Sequence, residues 1–287
     1  MDSKHNADGN RVLKDEKLTP DAIKFFQNII YDHYEKNARI FPWRMTSTPY
    51  HIAVSEIMLQ QTQTYRVEDK YKEFVTLLPD FYSLAYAPLK TVLKLWQGLG
   101  YNRRAIALKK IAQIIVNEFG GNLPSSVELL MTLPGIGQAT ASAIAAFAFN
   151  EASVFIETNI RTVFIHFFFY DRDSVRDKEL LPVVEKTLDI SDPRNWYYAL
   201  MDYGAALKKE HQFLGRKSAH YRKQNLYKGS NRQIRGMILK ALIDKPGSSS
   251  QEIIEKLMLE PERIMTILQD LQKEGFIKSR GKRFSIA

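Results

Sequence analysis

The sequence has 287 residues, 45% of them hydrophobic and 11% aromatic, enough to bury the core of one large domain or two smaller ones. It contains no cysteine, which excludes disulfides, thiolate nucleophiles, thiolate zinc sites and cysteine-ligated iron–sulfur clusters. Its formal net charge is +9, and no apolar run reaches the roughly 18 residues that span a bilayer, so a polyanion is the expected partner and a membrane is not.

In chain order, residues 1–18 read as a polar, aperiodic tail without the apolar stretch of a secretion signal, which points to an intracellular protein. Thr19-Pro20 is a helix start, and Ile23, Phe26, Ile29 and Ile30 follow at helical spacing. Further helices are expected over 51–64, 66–77, 89–96, 103–118, 126–131, 138–148, 159–168, 178–187 and 196–207. Pro42, Pro79, Gly120-Gly121, Pro134-Gly135 and Pro193 mark the loops. Strand signals are nearly absent before residue 270, so the fold class is mainly α. Residues 231–287 form a separate small unit: three helices (232–243, 250–258, 261–274) and then FIKSRGKRFSIA, which reads as a short hairpin around Arg280-Gly281. That order suggests a winged-helix-like domain, with a protein-interaction module as the alternative.

The charge is uneven. Residues 208–232 hold eight Lys/Arg against one Glu, a basic linker over 208–230. Arg103, Arg104, Lys109 and Lys110 form a second cluster, and Lys278, Arg280, Lys282 and Arg283 a third. Three clusters favour a nucleic acid over a merely solvated surface.

Three segments carry chemistry. LPGIG (133–137) joins two helices. Glycines flanking one apolar residue let the backbone turn tightly and point its amides, with the positive end of the next helix, at a phosphate; a plain helix–helix turn reads the same way. In SEIMLQQTQ (55–63), Glu56, Gln60 and Gln63 fall on one face of an apolar helix, either as a solvated stripe or as a desolvated acid able to donate a proton. In FIETNIRTVF (155–164), Glu157 precedes the helix begun by Asn159, as a helix cap or as a carboxylate that stabilises a cationic sugar. Among His5, His33, His51, His166, His211 and His220 no pair has metal-ligand spacing, and no metal site is expected; His166 reads as a core residue.

Taken together, FPWR (41–44), PYHIAVSEIMLQQTQT (49–64), LWQGLGYNRRA (95–105), LPGIGQATASAI (133–144), FIETNIRTV (155–163) and ALMDYGA (199–205) resemble the helix-hairpin-helix DNA glycosylases, most closely the MutY-like adenine glycosylases. The likeness implies a two-lobed core over 19–207, one lobe of six helices over about 51–150 and the other from 19–50 and 151–207. It implies base-excision repair: the target base is flipped out of duplex DNA and its N-glycosidic bond hydrolysed. By resemblance, Glu56 is the general acid, Glu157 stands where the family has its catalytic Asp, and Asn159 accompanies it. Trp43, Arg44, Leu59, Gln60, Gln61, Thr62, Tyr101 and Tyr198 correspond to the base pocket and the wedge around the opposite base. Gly135, Ile136, Gly137, Gln138, Ala139 and Thr140 correspond to the backbone-binding hairpin, which in this superfamily can hold a monovalent cation. Arg103, Arg216, Lys217, Arg222 and Lys223 are the expected cationic contacts to DNA.

The chain departs from the pattern in ways that bear on function. The cluster cysteines are missing, so no iron–sulfur cofactor is expected, and the basic linker is a candidate to replace the cations the cluster loop presents. Glu157 is one methylene longer than Asp. Ala139 stands where strand-cleaving members carry Lys, which implies a monofunctional enzyme. A winged-helix-like unit replaces the Nudix-like domain, and Tyr198 stands where relatives often have a carboxylate. The expectation is a monomer acting on adenine opposite 8-oxoguanine or guanine, located in the cytoplasm of a prokaryote or the nucleus of a eukaryote. The alternatives are thymine or uracil opposite guanine, or a noncatalytic DNA-binding regulator.

Overall fold

The computed structural model describes residues 18–211, 213–221 and 227–287. In chain order the elements are α1 (Pro20–Asn37), a 3-10 turn (Pro42–Arg44), α2 (Pro49–Leu59), α3 (Thr64–Leu77), α4 (Phe81–Tyr86), α5 (Leu89–Leu95) and α6 (Arg103–Phe119). They continue with α7 (Val127–Met131), α8 (Gln138–Phe149), α9 (Thr158–Phe168), α10 (Asp177–Thr187), α11 (Pro193–Glu210) and a 3-10 turn (Leu214–Lys217). The last part holds α12 (Asn231–Asp244), β1 (Ser248–Ser249), α13 (Ser250–Leu257), α14 (Pro261–Lys273), β2 (Ile277–Arg280) and β3 (Arg283–Ile286). The chain divides into two compact units: Met1–Ser47, Ser125–Met131 and Gly137–Lys223 form the first, and Thr48–Pro124, Thr132–Ile136 and Gln224–Ala287 the second.

In the first unit, α1 starts where the Thr19 hydroxyl accepts the Ala22 amide at 3.2 Å, leaving Pro20 where a missing N–H costs nothing. It buries Phe26, whose ring meets those of Phe164, Phe167, Phe168 and Trp196 edge-on at 5.1–5.7 Å. This aromatic knot ties α1 to α9 and α11. Helix α8 is buried continuously from Ala141 to Ala148, which its alanines permit by letting neighbours approach from every side. Phe147 near its end stacks flat on Tyr198 of α11, with centroids 4.5 Å apart. The sequence reading closes a lobe near residue 150; the structure instead groups α8 with the first unit, and this stacking is part of the reason. His166 is buried as expected, and burial followed by the nearby His211 lowers its pKa to about 4.

In the second unit α2 ends at Leu59, five residues short of the expected 51–64 helix. Gln60 terminates it, Gln61 is left-handed at φ 53°, and Gln63 is the N-cap of α3. The expected single face bearing Glu56, Gln60 and Gln63 therefore does not exist. The physical cause is Arg104, which lies over Trp96 and gathers the carbonyls of Ile57, Met58 and Gln60 at 2.6–2.9 Å, satisfying the acceptors that a longer helix would have paired internally. Helix α4, absent from the sequence reading, is too short for periodicity to reveal; it is held by a capping box between Asp80 and Ser83.

Residues 231–287 form the expected winged helix. Strands pair antiparallel in the order β1-β3-β2, with Ser279 opposite Phe284 and a turn at Gly281, whose φ is 62°. The two-residue strand β1 is an addition to the reading. Ile238, Leu242, Ile253, Ile264, Leu268, Leu271 and Phe276 fill the core of the module, and α12 packs on α5. The linker is only partly a linker: α11 runs to Glu210, and Val175 pairs with Ser218.

Candidate functional site

Glu157 is the N-cap of α9. Its Oε1 accepts the backbone amides of Asn159 at 2.7 Å and Ile160 at 3.0 Å, and its Oε2 accepts Nδ2 of Asn159 at 3.2 Å. Both readings of this residue are therefore compatible: it caps the helix and remains half-buried with a carboxylate oriented by two residues of one turn. The Asn159 Oδ1 accepts Nζ of Lys208 at 2.7 Å. The backbone of Asn159 is seated against Gly204, where an added Cβ would lie 2.2 Å from the Asn159 carbonyl oxygen.

Beneath this group lies a buried ion-pair network that sequence reading did not single out. Asp202, 2% exposed, accepts Arg44 through both guanidinium nitrogens at 2.9 Å, Nε of Arg39 at 2.6 Å and the Arg39 amide at 2.8 Å. Burial alone would raise the Asp202 carboxyl, but Arg44 and Arg39 outweigh it and hold it below the usual carboxylate range. Arg44 is thus committed to Asp202 and to the face of Tyr198, 4.5 Å from the ring centroid. Trp43 is buried and stacked on Phe41 at 4.9 Å. Tyr198 lies sandwiched between Phe147 and Arg44. Of the three expected base-pocket residues in the first unit, Arg44 lies against Tyr198 and is held by Asp202 of the ALMDYGA motif, while Trp43 stacks on Phe41, over which Arg44 also lies.

In the second unit, Glu56 is half-buried on α2, between the fully buried Ser55 and Ile57. Leu59 ends α2, and Gln60, Gln61 and Thr62 form the turn between α2 and α3. The Thr62 hydroxyl donates to the Gln60 carbonyl at 3.2 Å and accepts Arg104 at 3.0 Å. Burial lowers the Arg104 pKa to about 10, with Tyr101 opposing and Arg66 adding to the shift, so it stays charged near neutral pH. Gln61 and Tyr101 both adopt left-handed backbone, at φ 53° and 47°, a conformation that costs non-glycine residues free energy and concentrates at functional sites. Both line a cavity of about 420 Å³ with Gln60, Arg103, Arg232 and Arg235. Arg232, from the winged helix, donates to the Tyr101 hydroxyl and lies 4.8 Å from its ring centroid. Arg103 is paired through two bonds to Glu274 of the winged helix at 2.7 and 2.8 Å, and Arg235 reaches the same carboxylate at 2.6 Å.

The hairpin is α7, the Leu133–Gly137 turn and α8. Gly135 has φ 80°, and a Cβ there would meet Ala107 at 3.2 Å. Gly137 has an ordinary φ of −97°, no side-chain cap bond and nothing within 4 Å of an added Cβ, so only Gly135 is required by the turn itself. Ile136 is buried; Gly137, Gln138 and Ala139 are exposed at the start of α8, with Thr140 half-exposed. Gln60 donates to the Gly135 carbonyl at 3.4 Å. Of the expected cations, Arg216 is exposed. Lys217 instead turns inward to the Tyr170 carbonyl at 2.6 Å, and Arg222 and Lys223 lie outside the described residues. Sequence reasoning missed Asp202, Lys208 and Arg232; Gly204 and Lys208, four apart on one helix and both directed at Asn159, carried a signal in their spacing.

Residues 54–185 match the model of the HhH-GPD superfamily base excision DNA repair proteins, and 232–278 match a winged helix-turn-helix DNA-binding family. An adenine DNA glycosylase of Mycolicibacterium smegmatis is 30% identical over 90% of this chain and 93% of its own length. One of Buchnera aphidicola subsp. Baizongia pistaciae is 35% identical over 65% of this chain and 53% of its own; the chain spans about half the length of the first curated relatives it matches. The solved structure of a thermostable thymine-DNA glycosylase shares 27% identity and a TM-score of 0.57, covering 64% of this chain and 86% of that one. The chain belongs to the HhH-GPD superfamily of base excision DNA repair proteins, on the side of the adenine DNA glycosylases.

Proposed function

We propose that this protein is a monofunctional DNA glycosylase that acts as a monomer on duplex DNA and releases adenine mispaired with 8-oxoguanine or guanine. The observation that carries the reading is the pinned carboxylate of Glu157, with Asn159 beside it and a second, half-buried carboxyl, Glu56, on a helix that buries seven of its eleven residues. Two carboxyls in different surroundings suit hydrolysis of an N-glycosidic bond. Glu56, protonated, gives its proton to the departing base. Glu157, ionised, stabilises the positive charge that grows on the sugar. The C1′–N bond breaks with its electron pair going to the base; water then adds its hydroxyl to C1′ and gives its proton to the Glu56 carboxylate, leaving an abasic site, the free base and the acid restored. In this reading Gln61 and Tyr101, both with left-handed backbone, enter the duplex where the base has left it, and the exposed amide-rich start of α8 binds a phosphate. The carbonyls of the Leu133–Gly137 turn have lone pairs for a monovalent cation, and no step uses one. With no cysteine in the chain, the role of a cluster loop falls to cationic side chains.

Thymine or uracil opposite guanine is the second reading. Tyr198 favours it, since its ring stands at the pocket where a carboxylate would favour adenine.

The test is base release from duplexes carrying adenine opposite 8-oxoguanine, adenine opposite guanine, and thymine or uracil opposite guanine, read by alkaline cleavage. The first two should be processed, with no cleavage when alkali is omitted and no borohydride-trapped adduct. Glu56→Gln and Glu157→Gln should each abolish release while remaining folded. Full activity of either variant, or preference for the pyrimidine mispairs, overturns the corresponding assignment.

A further inference from the structure

We propose that Lys208 is a positioning residue of the glycosylase reaction, fixing the Asn159 amide and through it the carboxylate of Glu157; this rests on the reading of Glu157 given above. The argument is one of donors and acceptors. Oε1 of Glu157 is occupied by two backbone amides, which anchors one end of the carboxylate but leaves its rotation to Oε2. The partner of Oε2 is Nδ2 of Asn159 at 3.2 Å. An asparagine amide has nearly the same shape flipped, so shape alone does not choose which end meets Glu157. Lys208 does choose. An ammonium only donates, so the end facing it at 2.7 Å must be Oδ1, and the NH2 group is forced toward the carboxylate. Without the ammonium, only the 3.2 Å bond to Oε2 orients the amide, and Oδ1 loses the donor that fixes its other end.

The rest of α11 supports the same purpose. Gly204, one turn before Lys208, lets the helix approach until it seats the backbone of Asn159. One helix face thus fixes both the main chain and the side-chain orientation of the residue that steers Glu157. Burial lowers the Lys208 pKa, Glu157 raises it, and Arg161 and Arg39 lower it further.

The test uses single-turnover base release at saturating protein on the duplex that wild type processes fastest, with DNA affinity and thermal unfolding measured alongside. Lys208→Met should lower the rate constant by about ten- to a hundredfold, the range expected for a misplacement of about 1 Å, with affinity changed less than about threefold. Lys208→Arg, which still donates, should recover most of the rate. In an Asn159→Ala background, Lys208→Met should cost nothing more, because Lys208 acts through that amide. The Asn159 side-chain amide signal in NMR, identified by its loss in Asn159→Ala, should move in both Lys208 variants and most in Lys208→Met; this readout and Lys208→Arg keep the test valid if Lys208→Met folds poorly. A wild-type rate for Lys208→Met, or losses that multiply in the double variant, overturn the proposal. So does a loss confined to affinity, which would make Lys208 a DNA contact. Full activity in Glu157→Gln would instead sink the underlying reading of Glu157.

Discussion

Replacing Gly204 by alanine puts the close approach of α9 and α11 to a quantitative test. The new methyl would lie 2.2 Å from the Asn159 carbonyl oxygen, 2.7 Å from its carbonyl carbon and 2.9 Å from its Cβ. Relief to an ordinary contact of roughly 3.3 Å requires the two backbones to part by about 1 Å, because none of these atoms is the free end of a side chain. Overpacking of this kind costs about 1–3 kcal/mol, against which a helical Gly→Ala change returns about 0.5–1 kcal/mol. The expected net is a destabilisation of up to about 2.5 kcal/mol, measured by urea unfolding. The effect on function should be larger than on stability: a displacement of about 1 Å at Asn159 carries Glu157 with it and should slow single-turnover base release about a hundredfold. Gly236→Ala is the control, since Gly236 lies inside α12 with nothing within 4 Å of an added Cβ. It should be neutral or stabilising and leave the rate unchanged. If Gly204→Ala behaved like the control in both measurements, the seating of Asn159 on α11 would not be what holds Glu157 in place.

Asp202→Asn should destabilise by about 3–5 kcal/mol, because it leaves Arg44 as a buried unpaired charge. The carboxyl is held below its unfolded value, so its stabilising contribution is complete above about pH 4 and is lost as pH falls through the folded pKa; acid unfolding of wild type should be steeper than that of the variant. Arg232→Ala removes one of the two guanidinium groups over Tyr101 and should weaken DNA binding by about three- to tenfold, in line with a cation–π interaction of about 1 kcal/mol, while leaving the saturated rate intact. An unchanged dissociation constant would remove the winged helix from the binding surface. Neutralising Arg216, Arg222 and Lys223 together should reduce the salt slope of DNA binding by about 0.9 for each phosphate that is no longer neutralised. Lys217→Ala should instead lower stability, because its ammonium caps the Tyr170 carbonyl.

Legibility in the sequence followed the range of the forces involved. Helices α1, α3, α6, α9 and the winged-helix trio were readable because each buries a stripe at helical period over several turns. The end of α2 was not, because Arg104, more than forty residues later, terminates it from outside. Shortness, not distance, hid α4, whose six residues are too few for a period. Glu157 and Asn159 were legible as residues because capping is local, whereas Lys208 and Asp202 act only on partners that the fold delivers, 49 and 158 or more positions away.

The basic stretch makes this point most sharply. As a run of like charge, residues 208–232 read as one electrostatic feature directed at a polyanion. The fold divides it. Lys208 faces inward to Asn159, Lys217 caps a carbonyl, and Arg232 lies on Tyr101, so three of these cations are fixed by specific partners and only residues such as Arg216 remain exposed to draw in DNA by charge. Arg103, in the second cluster, is likewise tied to Glu274 of the winged helix, but with its side chain 75% exposed the pair is weak and a phosphate can compete for it. Net charge therefore overstates the cations available to the DNA backbone. A salt slope measured on the intact protein should be closer to the number of exposed cations than to the formal charge of the stretch, and a slope matching all eight would mean that the inward-facing pairings open on binding.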